Sequence, residues 1–257
     1  MTQPVSTLDI LGIKVRSLGF EEALADLEAT LRDAPAQRRI NFLNANNSNL
    51  AATNKAYRAV LSRSEVLADG VGVDVAAQLL EGCKFPANLN GTDLVPALLV
   101  HLKDPCRIAL IGAEQAVLEK ACANFQQLAP WHTFRALSDG YFDRNASENL
   151  LAELAAFEPD ITLVAMGSPA QELWIDQHFE PRHGRLVFGV GALFDFVSGK
   201  VRRAPSLMRE LRLEWLYRLY LEPSRLWRRY ILGNPVFLLR VLRYRLKRPT
   251  PRPAATA

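Results

Sequence analysis

Asp160 to Glu172 reads D-I-T-L-V-A-M-G-S-P-A-Q-E, and this stretch decides the fold. Ile161 to Met166 is a short apolar run bounded by Pro159 and Gly167. A run of that length without polar alternation describes a strand buried on both faces of a parallel sheet. Gly167, Ser168 and Pro169 then turn the chain, and Gln171, Glu172 and Trp174 fall in a helix-like segment. Ser168 is placed to cap that helix, with Pro169 at its first position. A strand that passes through a glycine turn into a helix leaves free N–H groups at the positive end of a dipole. In open α/β sheets ligands bind at such points, and phosphate is favoured. Gln171 adds a neutral donor and acceptor in the first turn. Taken by itself the stretch is better read as an ordinary βα turn.

Similar units flank it. Arg107 to Ile111 is a strand ending at Gly112, followed by a helix from about Glu114 to Leu128. It lacks G-x-G-x-x-G, so it is a weak nucleotide signal. Phe134 to Leu137 is a further strand leading into Ser138-Asp139-Gly140-Tyr141-Phe142, where an aromatic after a strand can stack on a base. Asn145 to Phe157 reads as helix. Arg185 to Val190 is another buried strand, and Gly189, Gly191 and Asp195 follow at its mouth. The alternation from residue 105 to 196 predicts an α/β fold, a Rossmann-like, doubly wound, mainly parallel sheet.

The first hundred residues continue the pattern. Leu8 to Val15 is a short strand-like opening around Gly12, and Phe20 to Leu31 has a helical period. Arg39 to Leu43 is a strand that runs into Asn44-Ala45-Asn46-Asn47-Ser48-Asn49. Such a cluster is either a plain loop with capping residues or a set of amides aimed at sugar hydroxyls. Leu50 to Leu61 reads as one helix, and Gly91 to Leu102 as another. Between them Val66-Leu67-Ala68 ends in Asp69-Gly70, which sets a carboxylate at the C-terminal end of a strand. A buried Asp there can act as a general base if its pKa is raised. The alternative is an Asp that caps the helix beginning near Val71.

The chain has 257 residues, 49% hydrophobic and 23% charged, enough for a full core. Cys83, Cys106 and Cys122 show no metal-ligand spacing and are expected to be reduced, packed thiols. No signal peptide is expected, and no run approaches the ~20 apolar residues of a membrane-spanning helix. The net charge of +4 is uneven: residues 201–257 carry +11, leaving −7 on residues 1–200. From Arg203 onward Leu207, Leu211, Trp215, Leu216 and Leu219 follow a helical period, which Pro223 breaks. Leu226 to Ile231 is a second short helix, broken at Gly233-Asn234-Pro235, and Phe237 to Leu246 is a third. Basic helices bearing Trp and Leu suit an anionic membrane surface; a hairpin packed on the body with snorkelling arginines is the alternative. The expected division is an α/β core over 1–200 with its ligand site in the second half, a basic amphipathic helical C-terminal appendage over 201–248, and a disordered tail over 249–257.

The set Ala68-Asp69-Gly70, Asp139-Gly140-Tyr141-Phe142, Gly167-Ser168-Pro169-Ala170-Gln171-Glu172 and Gly189 to Asp195, with Arg203-Ala204-Pro205, Glu214 to Leu219 and Glu222-Pro223-Ser224-Arg225, resembles the WecG/TagA/CpsF family, glycosyltransferase family 26. The likeness covers roughly residues 8–245 and rests on joint order and spacing. It implies inverting, metal-independent transfer from a UDP-sugar donor to a polyprenyl-diphosphate-linked acceptor at the cytoplasmic membrane face. The sugar would be of the N-acetylmannosamine, uronic acid or glucose type, for a cell-surface polysaccharide. The UDP-sugar is then a substrate and no cofactor is implied.

Carried over, Asp69 is the candidate base, and Asn44 and Gln171 are polar groups around the sugars. Gly167, Ser168 and Gly191 border the donor, and Tyr141 and Asp195 hold the uracil and ribose. Arg218, Arg225 and Arg228 close over the diphosphate, with Arg229 adjacent to the last. Many members have Thr two residues before the Asn44 position and Arg three before the Gly91 position, where this chain has Phe42 and Asn88. Nucleic acid is not an expected partner, and homo-oligomerisation stays open. The sheet alone also suits a nicotinamide-dependent oxidoreductase, but the glycine fingerprint followed by an acidic residue is missing. The basic tail alone also suits a non-enzymatic binder of anionic polymers, against which the acidic body and the interleaved Trp and Leu argue.

Overall fold

A computed structural model describes residues 6–33, 36–205, 207–208 and 213–248. The expected tail over 249–257, and Leu211, lie outside the described residues. The chain begins with a hairpin of β1 (Thr7–Ile10) and β2 (Ile13–Arg16), then α1 (Phe20–Asp33) and β3 (Arg38–Leu43). Next come α2 (Ala45–Thr53), α3 (Lys55–Arg63), β4 (Glu65–Ala68), α4 (Val71–Glu81) and α5 (Gly91–His101). The second half runs β5 (Arg107–Gly112), α6 (Gln115–Leu128), β6 (Thr133–Ser138), α7 (Glu148–Phe157), β7 (Ile161–Ala165), α8 (Ala170–His178), β8 (Leu186–Gly189) and α9 (Leu193–Val197). The C-terminal part holds α10 (Glu214–Leu221), α11 (Pro223–Trp227), a π-helical turn (Arg228–Leu232) and α12 (Gly233–Lys247).

The eight strands form one sheet in the order β1-β2-β4-β3-β8-β7-β5-β6. Every pairing is parallel except the β1–β2 hairpin. The apolar run of β7 is buried along its whole length, as its lack of alternation predicts. Leu43 pairs with Ala68. Asn44 and Asp69 therefore leave neighbouring strands side by side. One layer of the core lies under α1, α5, α6 and α9 and includes Leu27, Leu98, Phe125 and Phe194. The opposite face carries two clusters, one around Trp174 and Phe157 and one around Tyr57, Leu43 and Val73.

Several elements differ from expectation for local reasons. The opening segment is a hairpin rather than one strand, because Asp9 Oδ1 accepts the Gly12 N–H at 2.7 Å and closes the turn. Leu50 to Leu61 spans two helices. Asn54 ends the first and caps the second by accepting the Tyr57 N–H at 3.0 Å. Gly233-Asn234-Pro235 does not break the last helix. Pro235 lies in its first turn, after a π-helical turn, where a missing N–H costs little. Cys83 is exposed rather than packed.

The last helix packs on the body, as the hairpin alternative expects. Phe237 and Val241 are 1% and 0% exposed and belong to the cluster of Leu43, Ala68 and Val73. Polar contacts fix the same seat: Asn49 donates to the Gly233 carbonyl at 2.8 Å, and Tyr244 donates to Asp9 at 3.1 Å. The outer side of this region stays apolar and basic. Trp227, Ile231, Leu239, Leu242 and Leu246 are exposed among Arg225, Arg228, Arg243 and Arg245.

Candidate active site

The carboxyl ends of β3 to β8 open into a single cleft of about 590 Å³. Asn44, Asp69, Ala113, Tyr141, Gly167, Gly191 and Asp195 all line it, each just beyond a strand or in the helix that follows. The C-terminal helices supply its far wall through Arg218, Arg225, Leu226 and Arg229. A second cavity of about 310 Å³ adjoins it. Its walls include Val71, Val75, Trp215, Tyr230, Phe237 and Leu238. Asn44, Asp69, Phe196, Arg218 and Arg229 face both spaces.

Asp69 stands at this junction. Asn44 caps α2 through its Oδ1, which accepts the Asn47 N–H at 3.0 Å. That bond turns its Nδ2 onto Asp69 Oδ2 at 2.9 Å. Asn44 is thus a holder of Asp69 as much as a group free to meet a sugar. Asn88 Oδ1 accepts the Gly70 N–H at 2.8 Å and fixes the turn on the other side. Asp69 does not cap α4, which has no side-chain cap. Burial raises the Asp69 pKa; the Asn44 bond and the charges of Arg229 and Arg218 oppose the rise, and Asp93 adds to it.

The arginines are arranged for an anion. Among the described residues Arg218 Nε and Arg229 Nε are buried without a hydrogen-bond partner. Buried donors are normally paired, so two unpaired guanidinium nitrogens facing one cleft fit a ligand rich in acceptor oxygens. The Arg218 guanidinium lies 5.1 Å from the centre of the Phe196 ring, and Arg203 lies 5.4 Å from it. Arg203 in turn pairs with Asp93 at 2.7 Å and Glu214 at 3.2 Å, tying the start of α10 to α5. Arg225 is engaged by Glu222 at 2.6 Å. Arg228 does not reach the cleft; its guanidinium lies over the Trp227 ring at 5.4 Å, and Arg229 takes the expected place. One residue on a helix is a rotation of about 100°, which is why the adjacent pair divides between cleft and surface.

At the other end Tyr141 is 76% exposed on the cleft rim. Asp195 has its pKa raised by burial, which Lys200 at 4.0 Å opposes together with Arg225 and Arg218. Lys200 also bonds Glu114 at 2.7 Å, bridging the loop after α9 to the loop after β5. Lys200, Glu114 and Phe196 are lining residues that the sequence reading missed; Phe196 alone had a signal, being next to Asp195.

Ser168 and Gln171 occupy the floor in an unexpected way. Pro169, not Ser168, is the N-cap of α8, and no side chain caps it. The Ser168 hydroxyl instead donates to Glu172 Oε1 at 2.5 Å. Gln171 is 2% exposed. Its Oε1 accepts the N–H groups of Gly167 and Gly191, each at 3.1 Å, and its Nε2 donates to Glu172 at 3.0 Å. The amide therefore joins the β7 and β8 turns to each other. Phe42 lies against Gly91, where a Cβ would stand 2.8 Å from its ring. No cluster of three His, Cys, Asp or Glu side chains suited to a metal occurs among the described residues.

The Glycosyl transferase WecG/TagA/CpsF family model matches residues 8–251. A protein of Bacillus spizizenii is 31% identical over 245 residues, covering 95% of this chain and 91% of its own. A Bacillus subtilis protein is 36% identical over 198 residues, 75% of this chain and 74% of its own. One of Staphylococcus aureus strain NCTC 8325 is 31% identical over 202 residues, 77% of each. All three are N-acetylglucosaminyldiphosphoundecaprenol N-acetyl-beta-D-mannosaminyltransferases.

Proposed function

The chain belongs to the WecG/TagA/CpsF glycosyltransferase family, and on that premise we propose that it moves a sugar from a UDP-sugar to a polyprenyl-diphosphate-linked acceptor, with inversion, in the synthesis of a cell-surface polymer. This membership displaces the oxidoreductase and polymer-binder readings. One observation carries the proposal: Asp69 sits where a polar, arginine-walled cleft meets a cavity with apolar walls. The first suits a nucleoside diphosphate sugar. The second suits an acceptor sugar whose lipid continues past Trp215, Tyr230 and Leu238.

In this reading Asp69 takes the proton of the acceptor hydroxyl. The new bond forms between that oxygen and the anomeric carbon, and the bond from the anomeric carbon to the β-phosphate oxygen breaks. Charge grows on the departing diphosphate, and the unpaired donors of Arg218 and Arg229 meet it. These fixed cations supply the electrostatic stabilisation from within the chain, and we propose that no added metal or cofactor is needed. Tyr141 stacks on the uracil, and Asp195 accepts from the ribose hydroxyls.

Among the described residues no helix is long and apolar enough to cross a membrane. The exposed Leu, Ile and Trp side chains of residues 227–246, interspersed with arginines, fit peripheral docking on an anionic bilayer. The test is a screen of UDP-sugars for UDP release, each with and without short-chain lipid-diphosphate acceptors bearing N-acetylglucosamine. Acceptor-dependent release with at least one donor is expected. Binding of labelled NAD but not UDP, with no transfer to any acceptor, would overturn the proposal.

A further inference from the structure

Glu172 is 1% exposed, and no basic side chain pairs with it among the described residues. A buried carboxyl without a cation is costly, so its retention calls for a task. Oε1 accepts from the Ser168 hydroxyl at 2.5 Å and from Gln171 Nε2 at 3.0 Å. Among the described residues Oε2 is buried with no hydrogen-bond partner, and the buried Tyr57 hydroxyl, which Glu172 influences electrostatically, has Ser168 as its polar neighbour. Burial raises the Glu172 pKa, and the bonds from Ser168 and Gln171 oppose the rise.

The Gln171 amide has only one satisfactory orientation. Its oxygen faces the N–H groups of Gly167 and Gly191, and its nitrogen must then find an acceptor, which Glu172 provides. A flipped amide would set N–H groups against N–H groups on two sides. Gly167 and Gly191 both hold positive φ, +76° and +56°, and both line the cleft. Nothing else described ties the β7 turn to the β8 turn through a side chain.

We propose that Glu172 is a positioning residue: by accepting from Gln171 and Ser168 it locks the two glycine turns into the shape on which the donor rests. Its part is that of a hydrogen-bond acceptor, neither a proton shuttle nor a space filler. The proposal rests on the donor site described above, and its test separates the two.

Glu172→Gln keeps an acceptor oxygen for both partners. Glu172→Leu keeps the bulk and removes the acceptor. Amide hydrogen exchange at Gly167 and Gly191, followed by NMR on the full chain, needs no substrate. Glu172→Gln is expected to keep protection at both amides and turnover within about threefold of the parent, the scale of a conserved hydrogen-bond pattern. Glu172→Leu is expected to lose protection tenfold or more at both amides and to weaken UDP binding and turnover by a similar factor. The Gln171→Leu, Glu172→Leu double variant should lose far less than the sum of the two single losses, because Glu172 acts in part through the Gln171 amide. Inactive Glu172→Gln with intact protection would overturn the proposal in favour of proton transfer. Retained protection and turnover in Glu172→Leu would overturn it in favour of space filling. If Glu172→Leu does not fold, Gln171→Leu decides: unchanged exchange at Gly167 and Gly191 contradicts the lock. A parent protein that does not bind UDP refutes the donor assignment alone, and the exchange results still decide the lock.

Discussion

Replacing Asn44 by Ser tests how Asp69 is held. Ser keeps an oxygen for the Asn47 N–H, so the α2 cap survives at a cost of a few tenths of a kcal/mol. It removes the Nδ2 donor that lies 2.9 Å from Asp69 Oδ2. A hydrogen bond to a charged group contributes about 1.5 kcal/mol, and one pH unit corresponds to 1.36 kcal/mol, so the loss is worth about one unit. That bond favours the ionised form, so its removal raises a pKa that burial has already raised. Asp69 must be ionised to accept a proton, so activity falls as pH drops through its folded pKa. The acidic limb of kcat/KM should therefore move upward by about one pH unit, with the high-pH plateau changed only severalfold. A limb that stays in place or moves down would refute the assignment of Asp69. An equal loss at every pH would show that Asn44 meets substrate directly.

Asp69→Asn should lower turnover by about 10²-fold or more while keeping most UDP affinity. Because burial raises the pKa of Asp69, the folded state holds its proton more tightly than the unfolded chain and loses stability as pH rises through that pKa; the Asn variant should melt no lower than the parent at neutral pH. Tyr141→Ala and Asp195→Ala should weaken UDP binding by calorimetry more than they slow turnover at saturating donor, and unchanged affinity in both would place the uridine elsewhere. Phe237→Ala should cost about 3–4 kcal/mol in chemical denaturation, the scale for a buried Phe; a loss under 1 kcal/mol would restore the picture of a separable appendage.

The parallel sheet was legible because its strands are buried on both faces and end in glycine turns, as in Ile161 to Gly167. The edge that carries the cleft followed, and ten of the eleven expected site residues line it. What a reading of the chain could not supply was how side chains are spent. Gln171 looked like a free amide, yet a glycine turn claims its oxygen; for Asn44 the capping alternative holds, and its nitrogen goes to Asp69. Lys200 carried no local signal, and the role of Arg203 could not be read from its motif, since their partners Glu114 and Asp93 lie far away in sequence. Which residues of the basic helices pack on the body was hidden, because Phe237 and Val241 lie among exposed leucines of similar spacing. Arg228 and Arg229 differ only by helical phase, which a π-helical turn resets.

The most direct test of Asp69 as the base at a junction between donor and lipid-linked acceptor is transfer itself. Parent and Asp69→Asn proteins are incubated with the donor that gives UDP release and a short-chain lipid-diphosphate acceptor, and glycosylated lipid is measured by mass spectrometry. The expected result is one added sugar on the lipid, in the opposite anomeric configuration to the donor, from the parent and about a hundredth as much or less from the variant. Equal product from both proteins, or UDP release that leaves the lipid unmodified, would contradict it.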